Sequence, residues 1–186
     1  MYDVAKNLHE VLNQLPSGVR LVAISKFHPK EYLAAAYAEG QRVFGESHEQ
    51  ELAKKVVELP QDIEWHFIGH LQTNKVKYIA PYISMIEAVD SLKLLKEINK
   101  QAAKHDRVVK VLLELHIAAE ETKYGLTLDA CRALLEEGEW RTMEHVQICG
   151  LMMMASNTDD TEQIAREFDT ASQFFDEVKA RYFAAD

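Results

Sequence analysis

The sequence is poor in cysteine, in long apolar stretches and in positive charge. Only two cysteines occur among 186 residues, Cys131 and Cys149, and they form neither a metal-ligand spacing nor a disulfide framework. The apolar stretches, such as Val108–Leu113, are far shorter than the roughly 20 residues that span a membrane. Met1-Tyr2-Asp3 has no basic region leading into an apolar segment, so no signal peptide is expected. We therefore expect a cytoplasmic, reduced protein with no membrane and no metal partner.

The charge balance excludes one broad class of partner. Lysine and arginine number 21 against 30 aspartates and glutamates, which gives a net charge of −9. Nucleic-acid surfaces depend on basic patches, so no nucleic-acid partner is expected. A small phosphorylated ligand remains compatible with this charge, because backbone N–H groups at a helix N-terminus can hold a phosphate.

Three common catalytic motifs are absent. The sequence contains no GxGxxG, no Walker A and no GxSxG pattern, which removes dinucleotide-binding, P-loop and serine-hydrolase interpretations. Cys131 falls inside a predicted helix and Cys149 inside a predicted strand, and neither position is typical of an activated nucleophile.

The apolar pattern predicts an N-terminal helix followed by six strand–helix units. The predicted strands are Arg20–Lys26, Val43–Phe44, Glu64–Ile68, Ile83–Val89, Val108–Ile117 and Val146–Met153. The predicted helices are Asp3–Leu15, Pro29–Gly40, a segment from Ser47 to Leu59, Thr73–Ala80, Ser91–His105, Thr127–Glu137 and Asp159–Tyr182. No linker interrupts this order, so residues 1–186 are expected to form a single α/β domain with a mainly parallel sheet, its strands buried on both faces. Periodicity does not distinguish an open doubly wound sheet from most of a βα barrel.

Ionisable residues recur where the predicted strands end. They are Lys26, Glu46, His66, His70, Glu87, Asp90, Glu114, His116 and Lys123. Parallel βα folds keep their chemistry at this edge, so six such junctions indicate a pocket, although loops after strands are also simply polar. Lys26 is either a functional amine able to form a Schiff base or a rim lysine whose stem packs on the fold.

Three histidines, one glutamate and one methionine run also have structural interpretations. His66 and His70 have the spacing of a helical metal pair, but the intervening residues indicate a strand end and a turn, so the rings should not face one site. Glu114 and His116 share one side of a strand and either face a pocket or form a core polar pair. Met152-Met153-Met154 is typical of core packing at a strand end.

Several blocks closely resemble the pyridoxal 5'-phosphate (PLP) homeostasis proteins, the YggS/PROSC family. These blocks occur in family order and span nearly the whole chain. They are Leu21–Lys26, Phe44–Glu46, Trp65–Lys75, Val89–Ser91, Glu121–Gly125 and Gly150–Met152.

The resemblance implies a fold, a cofactor and a set of site residues. The implied fold is a TIM-like (β/α)8 barrel similar to the N-terminal domain of alanine racemases, with an extra N-terminal helix. The implied cofactor is PLP, held as a Schiff base on Lys26. The residues expected to bind it are Lys26, Ser47, His70, Asn74, Lys123 and Met152.

The chain departs from the family pattern at four places. Ser47 and His116 stand where asparagine is usual, and His28 stands where a second lysine is frequent. All three stay polar and alter pocket detail. The family's Ser-x-Gly-Met-Ser and Gly-Ser-Thr-x-Val-Arg-Ile-Gly segments, which supply the last two strands and hold the phosphate, are absent after Asp186. We expect the chain to be C-terminally incomplete relative to the family.

The function that the resemblance implies is intracellular PLP (vitamin B6) homeostasis with no established catalytic activity. PLP-dependent apoenzymes are the implied acceptors, and a monomer is expected. The alternative is a PLP-dependent amino-acid racemase-like enzyme, although such enzymes use a second domain for which 186 residues leave no room. A cofactor-free barrel enzyme acting on a phosphorylated metabolite explains none of the family blocks.

Overall fold

The computed structural model describes residues 3–118 and 124–183, in which strands and helices alternate. The strands are β1 (Ala23–Ile24), β2 (Val43–Glu46), β3 (Glu64–Phe67), β4 (Met85–Val89), β5 (Val109–Leu115) and β6 (Val146–Met153). The helices are α1 (Val4–Gln14), α2 (Lys30–Ala38), α3 (Glu49–Glu58), α4 (Val76–Ile79), α5 (Leu92–Ala103), α6 (Leu128–Glu137) and α7 (Thr161–Tyr182). Two 3-10 turns, Thr73–Lys75 and Glu139–Thr142, precede α4 and β6.

Side-chain caps explain where several helices begin. Ser91 accepts a hydrogen bond from the Leu94 N–H, which confirms the predicted start of α5. Asp160 accepts from both the Glu162 and Gln163 N–H groups at the start of α7. These caps satisfy backbone donors that the first helical turn leaves without a partner.

The strands form one sheet in the order β1-β2-β3-β4-β5-β6, and each neighbouring pair is parallel. A doubly wound sheet reverses its strand order at a switch point, whereas this order follows the chain throughout. The open doubly wound alternative is therefore wrong for this protein. All carboxyl ends of the strands meet at the same edge, which is where the ionisable residues cluster in the sequence.

The two faces of the sheet differ in polarity. Phe67, Ile86 and Val111 lie in register on one face, and each is at most 1% exposed. Gly45, His66 and Met85 lie in register on the other face. Side chains alternate along a strand, so the first row supports the helix-covered core and the second lies on the opposite face of the sheet.

Some sequence predictions need correction. β1 covers Ala23–Ile24 and not Arg20–Lys26, since Ala23 and Ile24 are the residues that pair with β2 in register. Burial on both faces holds for β2, whereas every residue of β6 is half-buried or exposed because β6 lies at the sheet edge. The turn Glu139–Thr142 was not predicted from the sequence. It follows Gly138, which ends α6 in the left-handed conformation with φ of 72°.

Within the described residues, no helix combines the length and the apolarity that a membrane crossing requires. The 22-residue α7 is long enough, but charged residues such as Glu162, Arg166 and Lys179 recur along it.

Candidate functional site

The predicted site residues lie in four different places along the chain. Lys26, Ser47 and His70 follow the carboxyl ends of β1, β2 and β3. Met152 lies within β6, in register with Glu114 of β5. Asn74 lies in the 3-10 turn Thr73–Lys75 and is exposed. Lys123 lies outside the described residues.

Lys26 sits half-buried beside Ser47. Ile24 of β1 pairs with Gly45 of β2, so Lys26 and Ser47 each lie two residues beyond a paired position. The pairing continues past β1, because the Ser25 N–H donates to the Gly45 carbonyl at 2.9 Å. Among the described residues, the Lys26 amine has no hydrogen-bond or ion-pair partner. A lysine amine that is not held by a carboxylate can reach a carbonyl carbon and, once it has lost its proton, form a Schiff base there.

Two other lysines near this edge have carboxylate partners. Lys55 Nζ donates to Glu46 Oε1 and Glu51 Oε1, each at 2.7 Å. Lys75 Nζ lies 2.5 Å from Glu49 Oε1, and this hydrogen bond lowers the pKa of Glu49. The hydrogen bond to Glu49 also raises the pKa of Lys75, which favours its protonated form, and an ammonium group is not a nucleophile.

A cavity of about 420 Å³ brings two predicted residues together. Ser47, His70 and Lys75 line it, and Lys26 does not. Gly69 makes the close approach of the β2 and β3 ends feasible, since a Cβ at this position would lie 2.7 Å from the Ser47 Cβ. The cavity therefore places Ser47 and His70 on one wall of the candidate site, with Lys26 at the neighbouring strand end.

His66 and His70 make different contacts, as the strand end and turn between them predicted. His66 Nδ1 lies 2.5 Å from Glu87 Oε1, within the sheet. His70 Nδ1 lies 3.3 Å from Asp90 Oδ2, and its ring stacks on Tyr124 with centroids 3.8 Å apart. Among the described residues no group of three or more His, Cys, Asp or Glu side chains could hold a metal ion.

Glu114 is the most isolated acid near the site. It is 6% exposed, and within the described part of the chain its Oε2 has no hydrogen-bond partner. Burial, aided by the charge of Asp90, raises the pKa of Glu114, while His70 and His116 act in the opposite direction. The pair Glu114 and His116 is thus electrostatically coupled to the His70 and Asp90 contact.

The two cysteines are both free thiols. Burial raises the pKa of Cys131 to about 11, which removes it as a nucleophile at neutral pH. Cys149 borders a second cavity of about 640 Å³ between β6 and α7, together with Trp140 and Phe175. That cavity contains none of the predicted site residues.

Sequence reasoning missed Lys55 and Glu51. Their spacing on α3 is i, i+4, which is the usual spacing of an exposed surface pair. The signal that sets them apart is burial, because the Lys55 side chain is only 7% exposed. A lysine buried within a helix that follows a strand end is visible only once the helix is packed on the sheet.

Comparison with known proteins relates this chain to one family and to several curated relatives. Residues 2–185 match the family described as "Alanine racemase, N-terminal domain". The pyridoxal phosphate homeostasis protein of Aquifex aeolicus is 36% identical over 169 residues, covering 89% of this chain and 72% of that protein. The protein of the same name from Pasteurella multocida is 30% identical over 183 residues, covering 95% and 78%.

Solved structures give the same relationship. PipY of Synechococcus elongatus without PLP superposes with a TM-score of 0.91 at 32% identity, covering 97% of this chain and 84% of PipY. PipY with PLP bound gives a TM-score of 0.86. Alanine racemase from E. faecalis shares the fold, with a TM-score of 0.73 at 15% identity. The match covers 92% of this chain and 48% of the racemase. The chain belongs to the alanine racemase N-terminal domain family and, within it, to the pyridoxal phosphate homeostasis proteins.

Proposed function

We propose that this protein binds PLP and serves intracellular PLP homeostasis, with Lys26 as the covalent anchor. The observation that carries the proposal is Lys26, which is half-buried at a strand end and whose amine has no partner among the described residues. A relative of 32% identity, PipY, has a structure with PLP bound.

The residues around Lys26 fit such a ligand. The neighbouring lysines are paired, so Lys26 is the amine that remains available among those described at this edge. Ser47 offers a hydroxyl and His70 an aromatic ring backed by Tyr124. We assign Met152 to the apolar side of the site on β6, and Asn74 to its exposed rim. Lys123 remains a prediction from the family pattern.

The six-stranded sheet is, in this proposal, the greater part of a TIM-like (β/α)8 barrel. The support is its strand order, which follows the chain with every neighbour parallel. A barrel presents its active face at the carboxyl ends of the strands, and that is the edge on which Lys26 and Ser47 lie. The likeness to alanine racemase supports the fold and carries no argument for racemase activity.

A homeostatic role requires that PLP be held and released, with PLP-dependent apoenzymes as acceptors. PLP itself supplies an electron sink for amino-acid chemistry when an enzyme binds it. A racemase-like activity would need a base and an acid aimed at the substrate carbon.

The test is to locate the attachment site. The purified protein is incubated with PLP, its visible absorbance is recorded, and borohydride reduction followed by peptide mass spectrometry maps the adduct. We expect one adduct on Lys26, lost in Lys26→Ala and retained in Lys54→Ala, a control at an exposed lysine of α3. An adduct on Lys123 or any other lysine contradicts the assignment, and amino-acid racemisation by the loaded protein would favour the enzymatic alternative.

A further inference from the structure

Side chains of α3 hold the backbone on both sides of Lys26. The Ser25 carbonyl accepts a hydrogen bond from Lys55 Nζ at 2.8 Å. The Phe27 N–H donates to Glu51 Oε1 at 2.8 Å. These two groups belong to the peptide bonds that precede and follow the Lys26 Cα. Helix α3 therefore fixes the direction in which Lys26 leaves the backbone, without contacting its amine.

The turn after Lys26 has an unusual conformation. Phe27 has φ of 64°, in the left-handed region that bulky residues seldom adopt. Its ring is 75% exposed, so burial of the ring does not account for this conformation. The hydrogen bond to Glu51 compensates for the strain, because it satisfies the N–H that the turn directs toward α3. Backbone strain of this kind clusters at functional sites.

The network behind the turn is mostly buried, and within the described residues its one buried oxygen without a hydrogen-bond partner is Glu46 Oε2. Lys55 uses all three ammonium donors, on the Ser25 carbonyl, Glu46 and Glu51. Glu46 is 0% exposed and also accepts a hydrogen bond from Ser25 Oγ at 2.6 Å. Burial alone would raise the pKa of Glu51, but its hydrogen bonds to Lys55 and Phe27 lower it, so Glu51 stays ionised.

We propose that Lys55, Glu51 and Glu46 are positioning residues that orient Lys26 toward the PLP aldehyde. This inference rests on the proposed function and names residues that do not touch the cofactor. In the linkage step Lys26 Nζ forms a C=N bond to the aldehyde carbon, and the aldehyde oxygen leaves with both amine protons as water. No oxidant or reductant is needed. Reactions of this kind lose up to about a hundredfold in rate when the attacking group is misplaced by about 1 Å.

The first test compares Lys55→Met with Lys54→Met. Lys54 is the adjacent residue of α3, is exposed, and has no ion pair among the described residues. Linkage to PLP is followed by visible absorbance, and the adduct is mapped after borohydride reduction. We expect Lys55→Met to slow linkage by about tenfold or more and to spread the adduct over other lysines. Lys54→Met should match the unmodified protein.

A second variant covers the case in which Lys55→Met does not fold. Glu51→Ala removes the acceptor for the Phe27 N–H from a side chain that is 25% exposed, so folding should persist by circular dichroism. Its control is Glu58→Ala on the same helix, whose partner is Lys30. Glu51→Gln keeps an oxygen at this position and should restore most of the linkage rate. Glutamine keeps the acceptor for the Phe27 N–H but removes the charge. If it restores the linkage rate, the hydrogen bond that orients Lys26 is what matters, and not the charge of Glu51.

The two hypotheses fail in different ways. If the unmodified protein gives no adduct on Lys26, the proposed function is overturned. If it does, but Lys55→Met or Glu51→Ala link PLP at Lys26 as fast as their controls, the positioning role is wrong.

Discussion

At the scale of single residues, partners decide what each lysine near the site can do. Lys26, Lys55 and Lys75 all lie close to the carboxyl edge of the sheet, yet the latter two are held by glutamates. The position of Lys26 after an apolar strand was enough to predict it as a candidate. The burial of Lys55 was not predictable, because i, i+4 spacing does not reveal that its side chain is only 7% exposed.

Glu114 should make the fold less stable as the pH rises. Its pKa is raised in the folded protein, so the folded state binds the proton more tightly than the unfolded chain. The destabilisation by ionised Glu114 is absent below the carboxyl pKa of the unfolded chain, about 4.3. It grows as the pH rises through the higher pKa of Glu114 in the folded protein. Glu114→Gln should therefore be more stable at pH 7.5 by about 1 kcal/mol, a gain that shrinks toward pH 4. Urea unfolding at several pH values measures this difference.

Glu64 is the matched control for Glu114, because its contribution to stability should change with pH in the opposite direction. The hydrogen bond from Arg20 lowers the pKa of Glu64 in the folded protein. Ionised Glu64 therefore stabilises the fold above the pKa of the unfolded chain, and this stabilisation disappears as the pH falls through the folded-state pKa. Glu64→Gln should lose stability at pH 7.5, by less than about 1 kcal/mol since the pair is exposed. A Glu114→Gln variant whose stability relative to the unmodified protein does not change with pH would contradict the first expectation.

At the scale of elements, tertiary pairing set the boundaries that periodicity missed. β6 runs from Val146 to Met153 as predicted, because its apolar run and its pairing with β5 coincide. β5 ends at Leu115 and not at Ile117, since the His116 N–H donates to the Leu126 carbonyl instead of continuing the ladder to β6.

The turn Glu139–Thr142 could not be predicted from the sequence for a related reason. Its main anchors are contacts of Trp140, whose Nε1 donates to the Leu135 carbonyl at 3.2 Å and whose ring packs on Phe183. Four residues are too few to show a helical period, and both anchors depend on how α6 and the end of α7 are placed.

The N-cap of α7 gives a prediction at this scale. Asp160 Oδ1 accepts hydrogen bonds from Glu162 N and Gln163 N, each at 3.0 Å. Asp160→Ala should lower the free energy of unfolding by about 1 kcal/mol, because it leaves both donors without their partner. Asp159→Ala removes the same charge one residue earlier, outside the cap, and is the control. Equal losses in the two variants, measured by chemical denaturation, would attribute the effect to charge and not to capping.

At the scale of the whole molecule, strand order is the feature that the sequence left open. A doubly wound sheet and a barrel share the same alternation of strands and helices, and therefore the same periodicity. The difference lies in which neighbour each new strand joins, and that depends on helix packing against the completed sheet. Because every strand joins its predecessor, the ionisable residues of successive junctions stand side by side along one edge. That arrangement turns scattered polar residues into a candidate site.

PLP should stabilise the whole fold through its link to Lys26. A ligand that binds only the folded state adds about 2.7 kcal/mol to the free energy of unfolding at a hundredfold excess over its Kd. For a chain of 186 residues this corresponds to a Tm increase of about 5 to 10 °C. Pyridoxine 5'-phosphate carries an alcohol in place of the aldehyde and cannot link to an amine, so it should raise the Tm much less. In Lys26→Ala the two ligands should become equivalent, since only non-covalent contacts then remain. Equal stabilisation of the unmodified protein by both ligands would show that Lys26 is not the anchor, whatever other residues contact the cofactor.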